Sequence, residues 1–199
     1  MFPSEKPSGL RTSPAGPVWW RIDHTHPSGW DWEGFGTARH RFDPPSGRFR
    51  VRYASNSPQA AACERFSPHR IITRSNRQLW LVRLADPART ALHLTHQQNL
   101  TALGIDDRIS TGRLHGQPAH GDSLLRTSQE LSAAVHVWWD GNPPPLVYRT
   151  RSIPQQRSMA FTERLGWRRV DAMPLRDATR LLADLIRHHQ FTIPDDWLT

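Results

Sequence analysis

The sequence contains a single cysteine, Cys63, among its 199 residues. One thiol excludes an internal disulfide framework and any zinc site built from several cysteines. No basic group stands beside Cys63 in the sequence, so we predict that it is a small buried packing residue.

Long apolar runs are also missing. No stretch approaches the roughly 20 apolar residues of a membrane-spanning helix, and the opening MFPSEKPSGLRTSPAG lacks the apolar segment of a secretory signal. We therefore expect a cytoplasmic protein with no membrane partner. The hydrophobic fraction of 37%, with 17 prolines and 12 glycines, is typical of one domain with a core and many loops.

Lysine occurs once, at Lys6, so arginine supplies nearly all of the positive charge. The net charge is +8. Because Ala, Pro and Gly are also abundant, part of the arginine excess indicates a G+C-rich coding bias. The remaining charge favours anionic partners, namely phosphates, nucleic acid or an acidic protein.

The spacing of apolar residues predicts a mixture of strands and helices. Strands are expected over residues 17–23, 48–54, 77–84, 146–150 and 158–164. Helices are expected over residues 57–65, 96–106, 122 or 127 to 138, and 173–189. Residues 110–123 are expected to form a loop. Strands and helices do not alternate strictly, which predicts the α+β class.

The same pattern predicts how the chain is divided. Residues 1–16 are rich in Pro, Ser and Gly, and we expect a flexible N-terminal tail there. Residues 17–170 are expected to form the domain. Residues 171–199 are expected to be a helical extension that packs on it.

The segment RFRVRYASNSPQAAACERF, residues 48–66, changes pattern halfway. It alternates up to Tyr53 and then continues as a run of small residues. Ser57 is a good helix cap and Pro58 is tolerated at the first helical position. The predicted helix therefore holds one carboxylate, Glu64, rigidly after a basic strand.

Two arginines in the preceding elements, Arg21 and Arg41, are expected to lie near this carboxylate. Guanidinium groups bind phosphate through paired N–H donors, and a fixed carboxylate stabilises a developing positive charge. Such a pocket suits a substrate with phosphate at one end and a developing cation at the other. Nicotinamide nucleotides are substrates of this kind, because loss of nicotinamide leaves a cationic ribose.

The order WWRI, HRFDPPSG, VRYASNSPQAAACE and LVYRTR resembles the RES domain family, which is named for an Arg, a Glu and a Ser. The resemblance covers about residues 17 to 165. Its most specific part is the spacing from Tyr53 to Glu64, and its second is the RFDPP run before that tyrosine.

The resemblance assigns roles to particular residues. It implies that Arg21 and Arg41 bind the substrate phosphates and that Tyr53 packs on nicotinamide. It also implies that Glu64, Arg21 and Thr150 are the catalytic residues. Thr150 stands where the family has its serine. The resemblance therefore implies that Thr150 orients the ribose or the nicotinamide amide.

Several of these assignments have alternatives. Arg39 and Arg48 compete with Arg41, and Ser152 replaces Thr150 if the register slips by two. Threonine keeps the hydroxyl but is stiffer at χ1, so the activity that this site retains is an open question. Ile22 stands where the family sometimes has an aromatic residue.

The resemblance also implies a fold, an activity and partners. The fold is similar to that of ADP-ribosyltransferases, with a mixed sheet surrounded by helices. Family members are toxins that consume NAD by hydrolysis, by phosphorolysis or by ADP-ribosyl transfer, and the acceptor is left open here. The expected partners are NAD and an antitoxin with a DNA-binding domain, with self-association also considered.

Two other features of the sequence have interpretations of their own. A catalytically weak or inactive basic domain that binds nucleic acid or an acidic protein accounts for the charge and for Thr150. His24 and His26 are separated by one residue, but two histidines without a third ligand do not make a zinc site. We therefore expect no metal.

Overall fold

The computed structural model describes residues 2–31, 37–86, 88–112, 118–162 and 166–197, and for residues 118–122 the backbone alone. The strands are β1 Thr12–Pro14, β2 Val18–Asp23, β3 Arg52–Ser55, β4 Trp80–Ala85, β5 Thr90–His93, β6 Leu146–Arg149, β7 Arg157–Phe161 and β8 Arg169–Pro174. The α-helices are α1 Pro58–Phe66, α2 Gln97–Leu103, α3 Arg108–Thr111, α4 Pro118–Trp138 and α5 Thr179–His189.

The strands form a single mixed sheet in the order β1-β5-β6-β7-β3-β2-β4-β8. The β5–β6 pair is parallel and the other neighbouring pairs are antiparallel. This arrangement confirms the predicted α+β class.

Both faces of the sheet are covered by apolar side chains. On one face, helices α1 and α5 pack over β2 and β4 around Ile22, Leu81 and Leu182. Farther along the same face, α2 and α4 pack over β5, β6 and β7, with Leu131 and Tyr148 in that cluster. The opposite face is a third cluster that includes Trp19, Val82 and Met159. The boundary between the two helical groups is where the candidate site lies.

Helix α1 forms as its sequence predicts. The Ser57 hydroxyl accepts a hydrogen bond from the backbone N–H of Ala60 at 3.1 Å, and Pro58 occupies the first turn. The small residues Ala60 to Cys63 are buried, which lets the helix lie close to the sheet. Cys63 is a buried free thiol, as predicted, and burial raises its pKa.

Several boundaries differ from the predictions. The first half of the expected strand 48–54 is irregular, because Phe49 and Val51 are buried in the helical cluster instead of pairing with a neighbour. Residues 74–78 form a 3-10 helix before β4. Helix α4 begins at Pro118, inside the expected loop 110–123, of which residues 113–117 lie outside the described part of the chain.

Three strands, β1, β5 and β8, were not predicted, and the expected division of the chain stays a prediction. β1 pairs with β5, so the predicted tail 1–16 contributes an edge strand at Thr12–Pro14. β8 crosses the predicted boundary at residue 170 and includes the first residues of the expected helix 173–189. Residues 163–164 of the expected strand 158–164, and residues 198–199, lie outside the described residues.

Candidate active site

Strands β2 and β3 separate after one backbone pair, and we call this separation the fork. β2 pairs with β4 along all six of its residues, but with β3 only at Trp20 and Ser55. Beyond that pair the two strands are joined by side chains. Arg21 Nη1 donates to the carbonyl oxygen of Tyr53 at 2.8 Å, so a guanidinium takes the place of a backbone donor.

A buried carboxylate holds the arginines of the fork. Asp23 Oδ2 accepts from Arg21 Nε at 2.6 Å and from Arg52 Nη1 at 3.0 Å. Burial opposes ionisation of Asp23, yet the two arginines and the Thr25 N–H keep its pKa below the usual value. Burial and the charge of Arg21 lower the pKa of Arg52 to about 10. Arg52 also lies over the ring of Trp30, 4.6 Å from its centre.

Helix α1 presents Glu64 to the turn that follows β6. Glu64 Oε1 accepts hydrogen bonds from two successive backbone N–H groups, Arg151 at 3.1 Å and Ser152 at 3.3 Å. The side chain is exposed, but its carboxylate is anchored to protein on one oxygen. These two backbone N–H groups therefore fix the position of the Glu64 carboxylate.

The hydroxyl of Thr150 shapes that turn. Thr150 Oγ1 accepts from the N–H of Ile153 at 3.2 Å and donates to the carbonyl oxygen of the same residue. The side chain is only 2% exposed. Thr150 therefore acts on Glu64 through the backbone of the turn.

Arg41 lies beneath this turn and is almost completely buried. Its guanidinium donates to the carbonyl oxygen of Ile109, and to that of Gly112 at 3.0 Å. It also lies 6.0 Å from the centre of the Tyr148 ring. Burial, and the neighbouring charge of Arg151, lower the pKa of Arg41 to about 10. Arg41 still carries its charge at neutral pH, close enough to Glu64 for the two charges to attract each other.

Tyr53 and Asp43 fix the loop that carries Arg41. The Tyr53 hydroxyl donates to Asp43 Oδ1 at 3.2 Å and accepts from the Phe42 N–H at 3.0 Å. Asp43 Oδ2 accepts from the N–H groups of Arg39 and His40. Burial and the charge of Asp43 raise the pKa of Tyr53, so its hydroxyl stays protonated and can keep donating.

The structure brings together most of the residues that the sequence singled out. Glu64, the Thr150 turn, Arg41 and Tyr53 lie on the helical face of the sheet. Arg21 belongs to the opposite face, because it pairs with Val82 of the third cluster, and its guanidinium reaches the fork by contacting Asp23 and the carbonyl of Tyr53. The roles assigned to these five residues remain predictions.

The alternatives occupy different positions. Arg39 and Arg48 are exposed, and each donates a hydrogen bond through its backbone N–H. Ser152 contributes its backbone N–H to Glu64, in addition to the role of Thr150. Arg41 is therefore the one of the three arginines whose charge is placed near Glu64.

Several residues of the site were not predicted. Asp43 stands two residues after Arg41, and Tyr148 stands two residues before Thr150, so the same sequence segments contain them. Arg65 follows Glu64, contacts His24 Nε2, and has a pKa lowered by burial and by the charge of Arg21. No sequence signal marked Arg65, because a charged residue after a helical carboxylate is commonplace.

His24 and His26, the two histidines considered as metal ligands, contact neighbouring side chains. His26 contacts Ser28 and the ring of Trp80, while His24 contacts Arg65. Within the described ranges, no three His, Cys, Asp or Glu side chains are grouped in a way that could hold a metal ion. In the same part of the chain, no helix is both long and apolar enough to cross a membrane.

Comparisons with known proteins place the fold. No model of a protein family and no curated protein matches the sequence. The structure matches a chain in the crystal structure of the M. tuberculosis MbcT–MbcA toxin–antitoxin complex, with a TM-score of 0.50 and 16% sequence identity. The match covers 86% of this chain and 92% of that chain. At this identity the likeness establishes a common fold.

Proposed function

We propose that this chain is an NAD-consuming toxin of the RES type, which cleaves the bond between nicotinamide and ribose. The observation that carries the proposal is the anchoring of Glu64 beside the Arg41 guanidinium and two tyrosine rings, at the place where β2 and β3 separate. A fixed anion next to a split sheet suits a substrate that becomes cationic as it reacts.

The fork supplies the positive charge that a dinucleotide needs. Arg21, Arg52 and Arg65 surround one carboxylate, Asp23, so the group has an excess of two positive charges. Arg21 lies close enough to Arg65 for its positive charge to lower the pKa of Arg65. An anionic phosphate would relieve this repulsion, because guanidinium groups bind phosphate through paired donors.

Arg41 fits a different task from the one first assigned to it. Two of its nitrogens already donate to backbone carbonyls, and its side chain is buried. Arg21 also donates through two nitrogens, but its side chain is 20% exposed, and Arg65 is exposed. Within the proposal, these two accessible arginines are the phosphate ligands. Arg41 instead contributes a buried positive charge that attracts the Glu64 carboxylate.

The proposed chemistry is dissociative. The C1′–N bond breaks, its electron pair stays with nicotinamide, and the ribose becomes an oxocarbenium-like cation. Glu64 stabilises that cation through the carboxylate oxygen that the turn does not hold, and Tyr53 and Tyr148 line the space beside it. Water, phosphate or a protein nucleophile then attacks C1′.

The first prediction concerns Glu64 directly. Glu64→Gln keeps the shape of the side chain but removes the negative charge, so the transition state loses its counter-ion. We expect release of nicotinamide from NAD to fall by about a hundredfold or more. The measurement is nicotinamide formed by the purified protein, separated by chromatography.

Glu130→Gln is the control for the loss of one carboxylate, because Glu130 lies on α4 and pairs with Arg126 of the same helix. It should retain wild-type turnover. A Glu64→Gln protein that folds and keeps full turnover contradicts the proposed mechanism. A wild-type protein that releases no nicotinamide contradicts the proposed activity.

A toxin role implies a neutralising partner. The solved structure of similar fold belongs to a toxin–antitoxin complex, and we propose a protein antitoxin with a DNA-binding domain for this chain. Expression of the chain alone should arrest bacterial growth, and Glu64→Gln should abolish the arrest. Co-expression of a neighbouring helix-turn-helix protein should relieve it.

A further inference from the structure

Strand β8 ends the sheet with an open edge. All six of its residues pair with β4 on one side. Within the described part of the chain, no strand pairs with the other side. Such an edge presents unpaired N–H and C=O groups that readily accept another strand.

The register shows which backbone groups point outward. Leu175 N donates to the carbonyl of Leu79 at 2.8 Å, continuing the β4–β8 register. Hydrogen-bonded and non-hydrogen-bonded pairs alternate along an antiparallel ladder. Asp171 and Met173 therefore direct their backbone groups toward β4, and Val170 and Ala172 direct theirs away from the sheet.

The side chains of this edge are unusual for a strand that faces only water. Val170 is 41% exposed and Met173 is 45% exposed. Arg169 precedes Val170, and Asp171 lies between Val170 and Met173. These two residues carry opposite charges and contact each other within the strand. A short edge with apolar residues and both signs of charge is suited to a partner with the same composition.

We propose that β8 pairs with β8 of a second copy of this chain, antiparallel and centred on Val170. In this register the two Val170 residues exchange their backbone hydrogen bonds across a two-fold axis. Arg169 of each copy then stands opposite Asp171 of the other, in a non-hydrogen-bonded pair, where side chains approach most closely.

The neighbouring registers are disfavoured by the same residues. A shift that aligns Val170 with Ala172 places the two Asp171 carboxylates directly opposite each other, which is destabilising. A shift centred on Ala172 places Val170 opposite Pro174, which has no N–H to donate. The register centred on Val170 satisfies both the backbone groups and the charges.

The association should be weak and should leave the candidate active site open. Two six-residue edges bury less surface than the roughly 1,600 Å² of a typical stable interface. β2 and β4 separate β8 from β3, so the fork and Glu64 are not covered by the second copy. The proposal is thus independent of the proposed enzymatic activity.

Sedimentation velocity of the full chain over rising concentration tests the pairing. The wild type should show a monomer–dimer equilibrium. Arg169→Asp should be monomeric, because it places a carboxylate opposite Asp171 of the second copy. Asp171→Arg should be monomeric, because it places a guanidinium opposite Arg169 of the second copy. An equimolar mixture of these two variants should dimerise again, since each copy then offers the charges that the other needs.

Two further variants separate the edge from general effects. Val170→Pro removes an N–H that faces away from β4, a position where proline is tolerated, and should abolish the dimer with little loss of thermal stability. Arg180→Asp changes the charge equally on the exposed face of α5 and should dimerise as the wild type does. A wild type that stays monomeric, a dimer that survives Val170→Pro, or a variant mixture that stays monomeric overturns the proposal.

Discussion

Glu64 and Thr150 act as a unit, although only one of them reaches toward the proposed substrate. The carboxylate is held by the N–H groups of Arg151 and Ser152. Those groups are held in turn by the hydroxyl of Thr150, which bonds both polar backbone groups of Ile153. A buried residue without access to substrate can therefore determine where the reactive anion lies.

This arrangement makes a prediction about the hydroxyl. Thr150→Val has the same shape but cannot bond Ile153, so the turn loses its order and Glu64 loses its anchor. We expect nicotinamide release to fall between about tenfold and a hundredfold, because small misplacements of reacting groups are costly. Thr150→Ser keeps the hydroxyl and should be close to wild type.

A double-variant cycle distinguishes positioning from a separate catalytic role. In a Glu64→Gln background, Thr150→Val should lower nicotinamide release little further, because Thr150 acts only by positioning Glu64. If Thr150→Val lowers nicotinamide release as much in this background as in the wild type, Thr150 acts on the substrate by itself. Equal activities of Thr150→Val and Thr150→Ser would contradict the role of the hydroxyl.

At the scale of the element, helix α1 connects the sheet to the chemistry. Its cap fixes where the helix begins, and its buried alanines fix how near the sheet it lies. Glu64 comes in the second turn, so any change in the start of the helix moves the carboxylate relative to the turn after β6. The local stability of α1 thus has a direct effect on the geometry of the site.

The cap of this helix can be tested by itself. Ser57→Ala removes the acceptor of the Ala60 N–H and should lower the free energy of unfolding by about 0.5–2 kcal/mol. Ser57→Asp keeps an acceptor and should stay near wild type. Urea unfolding of the three proteins measures the difference, and an alanine variant as stable as the aspartate variant would contradict the capping role.

The elements that carry strong local signals could be predicted, and those that depend on distant partners could not. α1 was predicted from a serine, a proline and a run of alanines. β5 is buried at three of its four residues, so it shows no alternation. All six residues of β8 are exposed or half-buried, and the strand shows no apolar face. Both strands exist because neighbours are there to pair with them.

The same limit applies to the site. The order of Arg21, Arg41, Tyr53 and Glu64 is visible in the sequence, and the structure places all four around the fork and the turn. The burial of Arg41 beneath α3 could not be predicted, because its carbonyl partners lie about 70 residues away in the chain.

For the whole molecule, the net charge of +8 is a poor guide to its use. Arg41 and Arg52 are buried and hold backbone or carboxylate groups together. Others pair with aspartates on the surface, as Arg83 does with Asp171. Within the proposal, the positive charge available to a phosphate is local, at the fork, where Arg21 and Arg52 pair with Asp23 and Arg65 lies close enough for the charge of Arg21 to lower its pKa.

The global stability should also depend on a histidine far from the fork. His93 is 2% exposed, its Nε2 bonds the carbonyl of Pro14 at 3.0 Å, and its ring stacks on His96. Burial first, and then the neighbouring His96 and Arg157, lower its pKa below the usual value. The unfolded chain therefore binds a proton more readily than the folded one, and stability falls as pH drops below about 6.5.

This last prediction is tested by melting at pH 7.5 and pH 5.5. His93→Gln keeps a donor for the Pro14 carbonyl, which joins β1 to β5, but it cannot be protonated in this range. The melting temperature of the wild type should fall more from pH 7.5 to pH 5.5 than that of the variant. Protonation of carboxylates contributes equally to the fall in both proteins. If the two proteins lose the same amount, the buried imidazole is not the source of the acid sensitivity, and protonation elsewhere in the molecule controls it.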